Sequence, residues 1–180
     1  MLVEFVTWSL ACLEAIAEGY REVTMHDHSH RLQTNCELHK LKRLATEFRV
    51  AIENCERVRA FIATFRRFPH GSCGEAILLL AKYLEENGCG TFDYILGNRD
   101  GYSHAWLQQR NIIVDITADQ FDDNHDPVIV GVDNSWHCQF DGKFQNIADI
   151  NIYDENFKLI AWAAYGMIIE AMNSAQKSET

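Results

Sequence analysis

Three residues of the types used in nucleophilic catalysis follow one another along the chain as Cys73, His104 and Asp115. Cys73 lies in "FPHGSCGEA", where a proline and two glycines predict a turn, and the apolar run "ILLLAKYL" that follows predicts a helix. A cysteine on the first helical turn faces unpaired backbone N–H groups and the positive end of the helix dipole, and both stabilise a thiolate. The pattern predicts a nucleophile, provided that a histidine and an orienting group lie beside it.

His104 and Asp115 are predicted to meet on one sheet. "SHAWL" places His104 at the start of a strand, and "NIIVDIT" places Asp115 near the end of the next one. The connection "QQRN" is short enough for a hairpin, so the start of one strand lies beside the end of the other, and facing residues are about 5 Å apart. The chemistry would then use Cys73 as nucleophile, His104 as base and then acid, and Asp115 to hold the imidazole tautomer.

The elements that must position these residues divide into a helical part and a mixed part. Residues 1–67 predict a helix at about 2–20, the polar stretch "MHDHSHRLQTN", and one or two long helices whose apolar residues recur every three or four positions. From residue 68 the chain predicts a helix at about 74–87 and then five runs of strand character: "TFDYILG", "HAWLQQ", "NIIVDIT", "VIVGV" and "WHCQF". The run "NFKLIAWAAYGMIIEAMNSA" predicts a last helix.

Helices followed by mostly consecutive strands predict an α+β fold with an antiparallel sheet. The length of 180 residues predicts one domain. Within it we expect a helical extension over 1–67, the catalytic helix and sheet over 68–150, and a C-terminal helix and tail over 151–180.

The segment from residue 71 to 117 resembles the core of transglutaminase-like proteins, a branch of the papain-like cysteine hydrolase superfamily. The resemblance is carried by "GSCGEAILLLAKYLEENG", "FDYILG", "SHAWL" and "VDIT" in that order, over about a quarter of the chain. It implies a papain-like fold in which the catalytic helix packs on an antiparallel sheet, a Cys73–His104–Asp115 triad, and thiol-dependent acyl chemistry on amides. The chain is much smaller than the cross-linking transglutaminases and has no acidic cluster resembling a calcium site, so cross-linking is less favoured than hydrolysis.

The predicted function is therefore a cysteine hydrolase that acts on peptide or glutamine-side-chain amides through a thioester. A thiol protease and a glutamine deamidase remain open at this point, because both pass through the same intermediate. The alternative is a catalytically silent transglutaminase-like interaction module; such a relative usually loses a triad member, and this chain keeps all three. A further possibility is that the helical segment before Phe68 regulates access or binds a partner.

Several site residues are left with alternatives. The oxyanion is expected to bind the backbone N–H of Cys73 and a second donor, for which His70 and Gln120 are both candidates. Asn134, in "VDNSWH", is an alternative orienting residue to Asp115. We expect Trp106 to pack in the sheet and Asp119 to stabilise a turn.

Composition limits the partners. The net charge of −10 argues against nucleic acid and anionic membranes, and no apolar stretch reaches the roughly 20 residues of a spanning helix. The histidines of "HDHSH" lack a matching second ligand pair, so no metal or other cofactor is expected, and the partner is a protein or peptide substrate. Six dispersed cysteines without a CxxC pair, and an N-terminal stretch interrupted by Glu4 and Glu14, predict a cytoplasmic protein with reduced thiols. Oligomeric state stays open.

Overall fold

The computed structural model describes residues 36–132 and 135–178. The chain divides into two units, Met1–His39 and Lys40–Thr180. Of the first unit only residues 36–39 are described, and they are helical. The predicted helix at 2–20 and the stretch "MHDHSH" lie outside the described residues.

The second unit is an α+β fold with a five-stranded antiparallel sheet, which confirms the predicted fold class. The helices are α1 (40–54 within this unit), α2 (Glu56–Phe61), α3 (Cys73–Glu86) and α4 (Glu155–Ser178). Short 3-10 helices cover Ala63–Arg67, Ala118–Gln120, His137–Phe140 and Ile150–Ile152. Helices α1 and α2 bury one apolar face, as the spacing of their apolar residues predicts. The fully buried residues of this face include Leu44, Phe48, Ile52 and Val58.

The strands are β1 (Asp93–Arg99), β2 (Tyr102–Gln109), β3 (Ile112–Asp115), β4 (Ile129–Gly131) and β5 (Lys143–Ile147), in the order β4-β3-β2-β1-β5. The predicted hairpin is present, because β2 and β3 pair antiparallel with Leu107 opposite Val114. The strand predicted at "WHCQF" is wrong. His137 and Phe140 are both buried at a spacing of one 3-10 turn, whereas a strand would turn them to opposite faces, and the fifth strand begins only at Lys143.

Packing around the sheet sets the position of the candidate site. Ile95, Trp106, Ile113 and Phe140 form a buried cluster, against which Phe121 and Trp136 pack. Helix α3 contacts β2, the strand that carries His104. The residue facing His104 on β1 is Gly97, where an ideal Cβ would lie 2.5 Å from the carbonyl oxygen of Phe140. The 3-10 helix therefore lies directly on the strand pair that carries the histidine.

No helix in the described part of the chain has the length and apolar character needed to cross a membrane.

Candidate functional site

Cys73 is the first residue of α3 and is partly exposed. The turn before it includes Gly71, whose φ of +68° is a conformation that side-chain-bearing residues rarely adopt. Ser72, at the N-cap position, donates its hydroxyl to the carbonyl oxygen of Pro69 at 2.7 Å and makes no capping bond. The first N–H groups of α3 therefore carry no side-chain cap, and the thiol lies at the positive end of the helix dipole, open to a ligand.

The structure brings His104 and Asp115 into direct contact. His104 Nε2 lies 2.6 Å from Asp115 Oδ2, and both side chains are fully buried. The other carboxylate oxygen, Oδ1, accepts the backbone N–H of Thr117 at 2.8 Å and its hydroxyl at 3.2 Å. Since both oxygens of the buried carboxylate are hydrogen-bonded, its charge is compensated where no water reaches it.

The electrostatics of this pair favour charged forms. Burial disfavours the imidazolium, but the charge and hydrogen bond of Asp115, followed by the interaction with the Cys73 side chain, outweigh it and raise the pKa of His104 to about 9. Burial would likewise raise the pKa of Asp115, but the contacts with His104 and His137 hold it well below its usual range. The arrangement therefore supplies a cationic imidazole beside a thiol, which is the condition for an ion pair.

The Gln120 side chain connects the turn that precedes Cys73 to His104. Its Oε1 accepts the backbone N–H of Gly71 at 3.1 Å, and its Nε2 donates to the Thr117 carbonyl at 2.9 Å and lies 3.2 Å from His104 Nδ1. With Nε2–H of His104 directed at Asp115, Nδ1 is the acceptor in the neutral ring.

His137 is a site residue that the sequence analysis missed. Its Nε2 lies 2.9 Å from Asp115 Oδ2, the same oxygen that His104 contacts, and it is 2% exposed. Its ring lies against Trp106 and Trp136, with centroid distances of 5.0 and 4.9 Å. His137 was overlooked because "WHCQF" was predicted to be a strand, although its position next to the motif "NSW" could have indicated a site residue. Asn134, the alternative orienting residue, lies outside the described residues.

His104, Asp115 and His137 also form a group whose ligand atoms all lie within 4.8 Å of one another. Such a group could hold a metal ion, but the two imidazole N–H groups already bond the carboxylate oxygen at 2.6 and 2.9 Å. A metal would have to displace both protons and would occupy the face of His104 that orients it. In the hydrogen-bonded form Nε2 of each histidine bonds the carboxylate, and Nδ1 of His104 is on the side of the ring that faces Gln120.

Aromatic rings enclose the imidazole. The His104 ring centroid lies 5.2 Å from that of Phe121, 5.5 Å from that of Trp136 and 5.3 Å from that of Phe140. Arg99 covers this wall, with its guanidinium carbon 4.3 Å from the Phe140 centroid. The rings lower the local dielectric, which strengthens the His104–Asp115 interaction. Trp106 is 3% exposed within the same cluster, so its expected packing role is confirmed.

Arg49 anchors the loop that follows Asp115. This α1 residue is 5% exposed, and its guanidinium contacts both carboxylate oxygens of Asp119 at 2.8 Å. It also donates to the carbonyl oxygens of Ile116 at 2.6 Å and Pro127 at 2.8 Å. Asp119 thus stabilises the turn, as expected, through an ion pair with a residue from a distant helix.

A groove of about 750 Å³ adjoins the site. His70, Gly71 and Gln120 line part of it, and the β1–β2 turn and the segment 121–123 line the rest. Gly71 lies two residues before Cys73, and the Gln120 amide nitrogen contacts His104, so the groove lies next to the candidate site.

Comparisons with protein-family models, with curated proteins and with solved structures found no match for this chain.

Proposed function

We propose that this chain is a cysteine-dependent hydrolase of the transglutaminase-like, papain-like type, acting on peptide or glutamine-side-chain amides through a thioester. The observation that carries the proposal is the buried His104–Asp115 pair, 2.6 Å apart, whose imidazole also interacts with Cys73 at the N-terminus of α3. In this proposal the nucleophile comes from α3, the base from β2 and the orienting group from β3.

In the proposed reaction Cys73 and His104 rest as a thiolate–imidazolium pair with the proton on His104 Nδ1, and the thiolate forms a bond to the carboxamide carbon. The carbonyl oxygen becomes an oxyanion, stabilised by the N–H of Cys73 at the start of α3. The C–N bond then breaks, and the amine or ammonia leaves with the proton from Nδ1. Water attacks the thioester while His104 takes a proton from it, the C–S bond breaks, and the acid and the free thiol are released. Asp115 stays ionised and stabilises the imidazolium throughout.

The groove favours a protein or peptide as substrate. Its volume of about 750 Å³ is enough for several residues of an extended chain, and its lining offers both apolar and polar surface. A peptide bond and a glutamine side chain would both present a carboxamide to the thiol, so protease and deamidase are two outcomes of one mechanism.

The first experiment measures iodoacetamide alkylation of Cys73 by peptide mass mapping between about pH 5 and 9. In the wild type we expect rapid, selective alkylation at about pH 6, where ordinary thiols, with a pKa of about 8.5, are protonated. His104→Ala should abolish the fast reaction at that pH, and the exposed Cys138 serves as the internal reference thiol. Equal, slow alkylation of the two cysteines in both proteins would contradict the proposal and favour the interaction module.

A second experiment separates the two hydrolytic outcomes. The protein is incubated with a peptide library and with a glutamine-containing dipeptide blocked at both ends, and new amines and free ammonia are quantified. Product that forms with the wild type and not with Cys73→Ala assigns the reaction as proteolysis or deamidation. Incorporation of an added primary amine would instead assign acyl transfer.

A further inference from the structure

The hydroxyl of Tyr94 lies against the nucleophile turn. Tyr94 is on β1, and an ideal Cβ on Gly74 would lie 3.3 Å from its hydroxyl oxygen, so the hydroxyl packs on the first turn of α3. The glycine that follows Cys73 is what leaves room for this approach, because any side chain there would press on the oxygen. Tyr94 is half-buried, yet its hydroxyl bonds no other described residue. A half-buried hydroxyl without such a partner can bond water or a bound substrate.

The hydroxyl remains a hydrogen-bond donor over the whole pH range in which such an enzyme operates. Burial, and next the charge of Cys73, raise the pKa of Tyr94 to about 12. A neutral phenol beside a thiolate can donate a hydrogen bond and does not add a second negative charge to the site.

Gln120 and His70, the two candidates for the second oxyanion donor from the sequence, are not placed as Tyr94 is. The Gln120 amide is already used, because its oxygen accepts from Gly71 and its nitrogen donates to Thr117 and contacts His104 Nδ1. His70 lies upstream of the turn and lines the groove. Tyr94 differs from both, because its hydroxyl lies against the helical turn that carries Cys73 and has no hydrogen-bond partner among the described residues.

We infer that Tyr94 is a catalytic residue whose hydroxyl, together with the backbone N–H of Cys73, binds the oxyanion of the tetrahedral intermediate. This inference rests on the proposed function. The hydroxyl donates a hydrogen bond as negative charge forms on the carbonyl oxygen, and it keeps its proton. When the C–N or C–S bond breaks and the carbonyl re-forms, the hydrogen bond weakens and the site returns to its resting state. The donor acts in the transition state, so it accelerates the chemical step.

The test compares two reactions of the same thiol, only one of which forms an oxyanion. Acylation by 4-nitrophenyl acetate passes through a tetrahedral oxyanion, whereas alkylation by iodoacetamide displaces iodide directly and forms none. In Tyr94→Phe we expect the acylation rate constant to fall by about 10²-fold, the usual effect of removing one oxyanion donor. The alkylation rate constant should stay within about twofold of the wild-type value, since the thiolate and the imidazole are untouched.

Matched variants keep the result interpretable. Tyr83→Phe removes a hydroxyl from the distant half of α3 and should leave both rate constants unchanged. Gly74→Ala keeps the hydroxyl but brings a methyl group to 3.3 Å from it, so acylation should slow while alkylation persists. Circular dichroism and the urea midpoint verify folding, and if Tyr94→Phe is unfolded, Gly74→Ala carries the test.

The outcomes separate the inference from the function on which it rests. If the wild type shows no acylation that Cys73→Ala abolishes, the proposed function fails. If such acylation is present and Tyr94→Phe retains it within about threefold, the function stands and the inference is overturned. If acylation and alkylation slow equally in Tyr94→Phe, the hydroxyl acts on the thiolate and the oxyanion assignment is also overturned.

Discussion

His137 should stabilise the ionised form of Asp115, and replacing it tests the buried network without touching the proposed nucleophile or base. In His137→Leu the carboxylate oxygen Oδ2 loses a donor at 2.9 Å, while a side chain of similar breadth remains between Trp106 and Trp136. His137→Gln is the matched control, because its amide nitrogen can reach the same oxygen. Both variants leave His104 in place.

The expected magnitude follows from the type of bond that is lost. A hydrogen bond to a charged group contributes about 1.5–3 kcal/mol, and the carboxylate it leaves is fully buried. At pH 7 we therefore expect the free energy of unfolding of His137→Leu to fall by about 2–3 kcal/mol, and that of His137→Gln by less than half as much. Urea unfolding followed by tryptophan fluorescence measures both, and a chain of this size should lose about 4–10 °C in Tm.

The pH dependence distinguishes this loss from a packing defect. The pKa of Asp115 is lowered in the folded protein, so the ionised carboxylate contributes stability that is present above about pH 4 and is lost as the pH falls towards the folded-state pKa. His137→Leu has less of this contribution to lose, so the stability curves of the variant and the wild type should converge in acid. A difference that stays constant from pH 7 to pH 3, or is below about 0.5 kcal/mol at pH 7, would refute the reasoning.

Three further predictions concern other parts of the scaffold. Arg49→Met removes a buried cation that pairs with the partly exposed Asp119 and donates to two loop carbonyls, so it should reduce the free energy of unfolding by about 2 kcal/mol in urea titration. A change under about 0.5 kcal/mol would contradict the anchoring role. The pKa of His104 is raised to about 9, so its contribution to stability is complete below about pH 6.5 and is lost as the pH rises through 9. The urea midpoint of the wild type should therefore fall more between pH 6.5 and pH 10 than the midpoint of His104→Gln. Parallel curves for the two proteins would exclude a charge on the ring in the folded state. Gly97→Ala places a Cβ 2.5 Å from the Phe140 carbonyl oxygen and should lower Tm. The control Gly166→Ala is in an open helical position and should raise the free energy of unfolding by up to about 1 kcal/mol. Equal effects of the two substitutions on Tm would contradict the close packing at residue 97.

The part of the site that local patterns specify could be predicted from the sequence. The two-residue connection between β2 and β3 leaves a single simple pairing, and the period of the strands then places His104 and Asp115 on one face. Likewise, the glycine-bounded turn and the apolar run predicted the helix at Cys73, which begins at that residue. These elements are determined by neighbours within about a dozen positions.

The remainder depends on contacts that no local pattern records. Arg49 meets Asp119 across a separation of 70 residues, and nothing in the helical spacing of α1 distinguishes this arginine from its exposed neighbours. His137 was misread because "WHCQF" contains aromatic and polar residues that satisfy strand and 3-10 patterns equally well over so short a run. Tyr94 was not among the site residues predicted from the sequence, because the strand pattern does not show which helical turn its hydroxyl contacts.

The contacts of Arg49 with the segment after Asp115 show which part of the chain the candidate site requires. From the sequence alone, the segment before Phe68 was predicted to be a helical extension, and a truncation at that residue keeps Cys73, His104 and Asp115. Yet Arg49 belongs to α1, and it holds the carbonyl of Ile116, one residue beyond Asp115. A chain that began at Phe68 would keep these three residues and lose the hydrogen bonds by which Arg49 holds the segment after Asp115. A fragment that keeps the observed geometry of the candidate site must therefore begin upstream of Arg49.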